Sequence, residues 1–588
     1  MRTNLPGISD QRRMISFTFE DRSIKAFEGD TIAAAMSAEE IVTLRKEPKG
    51  TPRGVYCGMG VCQDCIVDVE GVGKARACMT KVADGMVVGR SRQGRQPVVG
   101  QARFESDERS VDTLVVGGGP AGIAAATALA VAGVDTLLID ERHQLGGQYF
   151  KQPAEPFTIN VANLDRQFRS GREKIARLMA LGPGVMLGTT LWGTFSGNRV
   201  AVSSASKTTI ITYKRLIIAT GAYERSIPIS GWTLPGSMTT GAVQTLLRSS
   251  QIVPGKRFFV TGNGPLNLQV AYELVKAGAR VVGVAEAGHP ISPRSVFDVA
   301  ALARYAPDLA VDGLRYLSLL TAKGVPIHFG QAVVAAEGND RVERVHLAKI
   351  DENGKPHADV KVVSTDILCA GYGFNPSNEI ARALGCEHTF DHDRSVLVPV
   401  RDDSFRSSLS DVWIVGDCAG LGGARAAMAS GAIAGIAAAR GATGQVGHAE
   451  SELRAERTKY VRATRFQERL WRAYHAPALG TKLAGDQTLI CRCESVSLGD
   501  LEQACRSGVQ TIGAVKRLTR AGMGPCQGRF CSHNVAQMVH ERTGAPITEF
   551  SLFAPRLPFK PQPISAFEAL ANRRDDPLYP LEKGAPVD

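Results

Sequence analysis

The sequence predicts a multidomain α/β chain, on the strength of three observations. At 588 residues the chain is several times the length of one domain, so three to five folded units are expected at roughly 150 residues apiece. Two glycine-rich turns each lie between an apolar run and a helical pattern, the strand–turn–helix order of parallel α/β folds. Eight of the 12 cysteines fall into two quartets, one near each end of the chain, which marks off small terminal units from the centre.

An apolar fraction of 44% and a charged fraction of 22% are those of a soluble globular chain and exclude disorder, coiled coil and collagen-like architectures. The net charge of +11 is dispersed. Neither a like-charge run nor an aromatic platform interleaved with basic residues appears, so no nucleic-acid partner is expected. Solvated faces and phosphate-bearing ligands account for the surplus. The opening MRTNLPGISDQRR has no apolar core behind it, so a secretory signal is not expected. With few cysteines for this length, a cytoplasmic location follows. Leu114 to Val134 carries no charge and is long enough to suggest a membrane span. The GGGP in its middle suits a strand, tight loop and helix instead, so no transmembrane segment is expected.

Cys57, Cys62, Cys65 and Cys78 read C-x4-C-x2-C-x12-C, which begins with the plant-type 2Fe–2S spacing. A loop with its thiolates this close together can wrap a small two-iron core, and Gly58 and Gly60 let it turn tightly. The following IVDVEGVGKARACM alternates like a hairpin turning at Gly71 to Gly73, which returns the fourth sulfur. Upstream, ISFTFEDRSIKAFEGDTIAAAM reads as strand, turn, strand and a helix capped by Asp30. Residues 1–100 therefore resemble the β-grasp ferredoxin-like domain of plant-type 2Fe–2S proteins. A structural zinc site is the alternative, since zinc also accepts four thiolates.

VDTLVVGGGPAGIAAATALAVAGVDTLLIDE supplies G-x-G-x-x-G through Gly117, Gly119 and Gly122, with Pro120 and Ala121 opening the helix. These glycines give the turn, the close approach to a pyrophosphate and the tight helix packing of a dinucleotide site. Asp140 or Glu141 ends the second strand, where a carboxylate can accept hydrogen bonds from ribose hydroxyls. LGGQ with Gly147 and Gln148, IIATGA with Thr220 and Gly221, and DVWIVGDCAGLGG with Gly416 and Asp417 follow. Together they resemble the two-dinucleotide-domain flavoproteins of the glutathione and thioredoxin reductase family. That resemblance implies an FAD domain in two segments, 111–240 and 366–440, with the position of Asp417 bonding the ribityl chain and the turn at Thr220 and Gly221 beside FAD.

A second fingerprint, KRFFVTGNGPLNLQVAYELVKAGARVVGVAEA, falls at 241–365, where those relatives carry their nicotinamide domain. Gly262 and Gly264 are in place, but Asn267 stands at the third glycine position, which puts close helix packing or the pose of the cofactor in question. Glu286 favours a free 2′-hydroxyl, hence NAD over NADP; a retained fold with an empty or differently occupied pocket is the alternative. No redox cysteine pair lies in the flavoprotein region. Cys369, Cys386 and Cys418 are single residues and read as small buried hydrophobes.

After a charged helical connector at 441–485, Cys491, Cys493, Cys526 and Cys531 give C-x1-C-x32-C-x4-C. Ser497 caps a helix over LGDLEQACRSG, and another helix begins after CQGRFC. Residues 486–545 resemble the small helical bacterioferritin-associated-ferredoxin-like 2Fe–2S domain, with zinc again the alternative and Cys505 a core residue. The tail at 546–588 is proline-rich and reads as an extended segment that docks across another domain or a partner.

The predicted fold is thus a β-grasp ferredoxin-like domain, a flavoprotein core of two dinucleotide-binding domains and a C-terminal helical 2Fe–2S domain. This order resembles the alpha (A) subunits of heteromeric amino-acid dehydrogenases, namely opine oxidases, hydroxyproline dehydrogenase and hydrogen cyanide synthase, with sarcosine oxidase alpha more distant. The resemblance implies one component of an oxidoreductase for CH–NH donors, in which a partner flavoprotein beta subunit oxidises the amine. It also implies FAD, two 2Fe–2S clusters, an FMN at the junction between subunits as in some relatives, further small subunits, and an electron acceptor that could associate the complex with a membrane. A self-contained NADH:acceptor oxidoreductase is the competing reading. No catalytic acid or base is assigned.

Overall fold

The structure is a computed structural model that describes residues 1–47, 50–91, 104–290, 292, 295–444 and 449–571. The end of the first expected domain at residue 100 and the part of the tail beyond 571 lie outside those residues.

The N-terminal unit is a five-stranded sheet in the order Arg22–Phe27, Met14–Phe19, Val87–Arg90, Ile66–Val69, Gly73–Arg76. Alternation dictates its inner face: Ile15, Phe17, Phe19, Ile24 and Ala26 are buried, along with the helix Ile32–Ala38 that crosses them. The small side chains of IAAAMSA let that helix lie close against the sheet. Its cap is Thr31 rather than the expected Asp30, with the Thr31 hydroxyl accepting from the Ala34 amide at 3.1 Å. Asp30, one residue too early to cap, is buried and ion-paired to Arg12 at 2.7 Å and Arg2 at 2.8 Å. The hairpin turns between Val69 and Gly73, as its alternation predicts.

The first dinucleotide unit has a seven-stranded sheet, in which Glu105–Val116 lies between Thr136–Ile139 and Lys207–Ile218 and is parallel to both. Val412–Ile414 returns from far along the chain to pair with Lys207–Ile218. The second unit is a five-stranded sheet in the order Ser237–Thr239, Ile367–Gly371, Arg257–Gly262, Arg280–Glu286, Ile327–Phe329. Ser237–Thr239 and Ile367–Gly371 therefore belong to the second sheet, although the sequence division at 241 and 365 leaves them with the FAD segments. The first unit also lacks a spanning helix at Leu114 to Val134, and among the described residues no helix is long and apolar enough to cross a membrane.

Helices Pro120–Val131 and Gly423–Thr443 cross at close range because small residues face each other. A Cβ on Gly431 would lie 2.0 Å from the Ala121 carbonyl oxygen, and one on Gly435 would lie 2.6 Å from that of Ala125. The connector forms a long helix, Ala449–Ala473, packed on Gly423–Thr443 and on Val296–Tyr305. The C-terminal unit has helices Leu498–Arg506, Ile512–Thr519 and Ser532–Thr543 around Ile490, Leu501, Val515 and Val535. Ser497 closes a capping box with Asp500. The middle helix is not expected from the sequence. The tail docks across the first unit, where Phe559 is buried and its amide donates to the Trp192 carbonyl at 2.9 Å, but it ends in a helix, Ile564–Ala571, rather than staying extended.

Replacing Gly431 with alanine should destabilise the protein by about 2 kcal/mol despite alanine's better helix propensity, because the added methyl overlaps backbone that cannot rotate away. Chemical denaturation of the purified chain checks this, and an unchanged or raised midpoint would contradict it.

Candidate functional site

A cavity of about 1260 Å³ opens between the two dinucleotide units and takes part of its wall from every other unit. At one end, Gly117 adopts φ +108, and a Cβ on Gly122 would lie 1.8 Å from the Gly117 carbonyl oxygen. The turn therefore closes only with glycine at both places, and it delivers the N-terminus of helix Pro120–Val131 to the cavity, where an anionic pyrophosphate is favoured. Gly117, Gly119, Pro120, Ala121, Gly147, Gln148, Thr220, Gly221, Gly416 and Asp417 all line this end; Gly122 packs behind it. Asp417 accepts from the amides of Gly422 at 3.1 Å and Gly423 at 3.0 Å, and burial pushes its carboxyl up.

The two carboxylates at the end of the second strand have different roles. Asp140 accepts from the Gly118 amide at 2.6 Å and the Arg142 amide at 2.7 Å, so it braces the glycine loop while also bordering the cavity. Glu141 faces the cavity and pairs with Lys560 of the tail and, at 3.8 Å, with Arg76 of the N-terminal unit. Burial would push its carboxyl up, but these two cations hold it below the ordinary glutamate range.

The second loop repeats the brace. Glu286 accepts from Gly264 at 2.9 Å and Gly288 at 3.0 Å, is 2% exposed and does not border the cavity. Burial pushes its carboxyl up to about 7. Gly264 does line the cavity, while Gly262 lies behind it. Asn267 fills the space of the missing third glycine productively: its side-chain amide donates to the Gly371 carbonyl at 2.9 Å and its oxygen accepts from Thr240 at 2.9 Å. Helix Pro265–Lys276 is thereby tied to both neighbouring elements.

Between the loops the wall is polar, a feature no motif announced. Lys151 donates to Gln244 at 2.7 Å, and Gln244 donates to Glu273. Glu273 in turn accepts from Arg248 at 3.1 Å. Glu224 accepts from the Gly241 amide at 2.9 Å. Burial pushes Lys151 down to about 7 and Glu224 up to about 7. Both groups can hold or release a proton near neutrality beside whatever occupies the cavity.

The cysteine loops reach the same place. Met59 and Val61, inside the first quartet, and Arg529, inside the second, line the cavity. In the first quartet Cys57 contacts Cys62 and Cys65 contacts Cys78. Burial would push the Cys57 thiol up, but the Cys62 thiol and the amides of Met59, Cys62 and Val61 bring it down to about 6. In the second quartet Cys491 and Cys493 lie 3.9 Å apart, Cys493 and Cys526 lie 3.6 Å apart, and Cys531 contacts Cys491. Among the described residues no three metal-ligating side chains form a cage sized for one ion. In the first quartet, separate contacting pairs of thiols suit a two-iron core, where each iron takes one pair, and amides directed at sulfur favour the thiolate form. Cys369, Cys386 and Cys418 are buried, and Cys505 packs against the core of the C-terminal unit.

The quartets, far apart in sequence, are neighbours in space. Arg492, between Cys491 and Cys493, reaches Asp64, between Cys62 and Cys65, with a hydrogen bond of 2.6 Å. Opposite charges inside each cysteine motif were the signal that could have predicted this contact.

Substituting Gly122 with valine should forbid the closed turn and cut flavin retention by at least about tenfold, since the pyrophosphate end is lost; the flavin-to-protein absorbance ratio after purification checks it. Glu286 gives a pH effect of definite sign. Its folded-state value of about 7 lies above the ordinary 4.5, so the folded state binds the extra proton and stability falls as pH rises through that window. Urea midpoints at pH 5 and pH 8 should differ less in Glu286→Gln than in the unaltered chain; an equal difference would refute this.

Comparison with known proteins agrees with the fold and its division into three kinds of domain. Residues 111–439 match the pyridine nucleotide-disulphide oxidoreductase family. Residues 12–93 match the 2Fe-2S iron-sulfur cluster binding domain, and residues 486–571 match the sarcosine oxidase A3 domain. Hydrogen cyanide synthase subunit HcnB of Pseudomonas aeruginosa is 35% identical over 78% of this chain and 98% of its own length. The A subunit of opine oxidase from Rhizobium meliloti is 31% identical over 76% of this chain and 96% of its own length. The crystal structure of L-proline dehydrogenase from P. horikoshii shares the fold, with a TM-score of 0.71, 24% identity and coverage of 96% of this chain and 99% of that one. The chain belongs to the pyridine nucleotide-disulphide oxidoreductase family and is a flavin and iron–sulfur oxidoreductase related to HcnB and to the A subunit of opine oxidase.

Proposed function

We propose that the chain is the redox subunit of a heteromeric dehydrogenase acting on amino acids or secondary amines, of the opine or hydroxyproline kind. A partner flavoprotein oxidises the substrate; this chain receives the electrons and relays them through FAD and two 2Fe–2S clusters to an acceptor. The observation that carries the reading is that loops of both cysteine quartets line the same cavity as the flavin loop. A flavin accepts two electrons and releases them singly, and each cluster carries one. HcnB and the opine oxidase chain, both named as subunits, support a heteromeric assembly.

Gly117, Gly119 and the N-terminus of helix Pro120–Val131 would hold the pyrophosphate, Glu141 would face the ribose, and Asp417 would approach the ribityl chain. Lys151 and Glu224 would balance charge and protons beside the flavin ring. NAD or another nucleotide at Gly264, an FMN at the junction with the partner and a cytoplasmic complex joined to a membrane through its acceptor complete the proposal.

The isolated chain, loaded with cofactors, should leave its flavin oxidised when mixed anaerobically with secondary amino acids, and the flavin should bleach once the co-purified partner is added. Bleaching by an amino acid with the chain alone would overturn the proposal. Rapid bleaching by NADH would favour the NADH:acceptor reading, which the opening of Gly264 onto the cavity keeps in view.

A further inference from the structure

The two cysteine quartets are joined by a buried ion pair. Arg492 donates through Nε to Asp64 Oδ2 at 2.6 Å, and its Nη2 lies 2.5 Å from the same oxygen, with side chains 6% and 1% exposed. The guanidinium stacks 3.9 Å from the Tyr56 ring and 4.5 Å from the Trp232 ring, and Nη1 donates to the Trp232 carbonyl at 2.8 Å. Tyr56 precedes Cys57 and meets Phe530, which precedes Cys531, edge-on at 5.6 Å. The surrounding charges are Arg45, which pairs with Asp64 at 3.3 Å and Glu47 at 2.8 Å, and the buried Arg53. From a cysteine of one quartet, the path to a cysteine of the other is one residue, one ion pair and one residue.

We propose that the Asp64–Arg492 pair couples the two quartets directly. With a 2Fe–2S cluster held at each quartet, one electron would leave the reduced cluster and enter the oxidised one across this contact, without returning through the flavin. No proton moves, because the guanidinium stays protonated. Asp64 and Arg492 are positioning residues that act on both clusters at once, since water does not screen a field at this depth. The inference rests on the reading that both quartets hold 2Fe–2S clusters.

The test uses the full chain purified anaerobically with its clusters, assayed for iron and sulfide, and titrated with dithionite under electron paramagnetic resonance. Fully reduced protein should show splitting or broadening from interaction between the two clusters. Arg492→Gln should lower both midpoint potentials, because reduction adds negative charge where one positive charge has been removed and Arg45, shared with Glu47, is the remaining partner of Asp64. Asp64→Asn should raise both, the double substitution should bring them back towards the starting values, and Arg492→Lys should leave them near those values. A loosened fold would not produce shifts of opposite sign. Two clusters with magnetically isolated signals, a shift confined to one cluster, or shifts of the same sign would overturn the proposal. If Arg492→Gln loses its iron, the contrast between Arg492→Lys and Asp64→Asn decides the sign. Iron and sulfide sufficient for one cluster only would instead overturn the underlying two-cluster reading.

Discussion

The ion pair between Asp64 and Arg492 is the constraint on which the arrangement of the units depends. Burying two charges is costly unless each finds its partner with good geometry, and removing one of a buried pair costs about 3–5 kcal/mol because the other is left stranded. The C-terminal unit thus has one satisfactory position on the N-terminal unit. Tyr56, Trp232 and Phe530 close around that position, and Trp232 ties it further by donating to the Leu489 carbonyl at 2.8 Å. Once both ends of the chain are fixed there, their cysteine loops, together with the flavin loop, enclose a single cavity.

Carboxylates at the two dinucleotide loops follow the same electrostatic logic. Asp140 and Glu286 each accept a glycine-loop amide and a second amide just beyond the strand, so each holds its loop open by satisfying donors that the loop cannot satisfy itself. At the first loop both Asp140 and Glu141 border the cavity, whereas Glu286 at the second does not. The two units are alike in backbone and differ in what they present to a ligand.

Much of this was legible in the sequence because it depends on local spacing. Cysteine intervals, glycine fingerprints and alternating strands fix loops and sheets within a few tens of residues, and those elements appear where their patterns place them. What escaped was set by contacts between distant segments. The cap of helix Ile32–Ala38 passed from Asp30 to Thr31 because Arg2 and Arg12 claim the aspartate. Asn267 looked like a defect until Gly371 and Thr240 supplied its partners. Strand Ile367–Gly371 joins the second sheet through its pairing with Arg257–Gly262, which no linear pattern encodes. Linear order also suggested clusters at opposite extremities with a flavin between them, whereas the extremities meet.

That meeting has a consequence for biogenesis. Asp64 and Arg492 are separated by 428 residues, so a nascent chain translated at the usual pace exposes the first half of the pair for roughly 20–90 s before the second half leaves the ribosome. Throughout that interval the N-terminal module has Arg45 but not Arg492 beside its Asp64 carboxylate, and the contact that seats the C-terminal unit must wait for the end of synthesis.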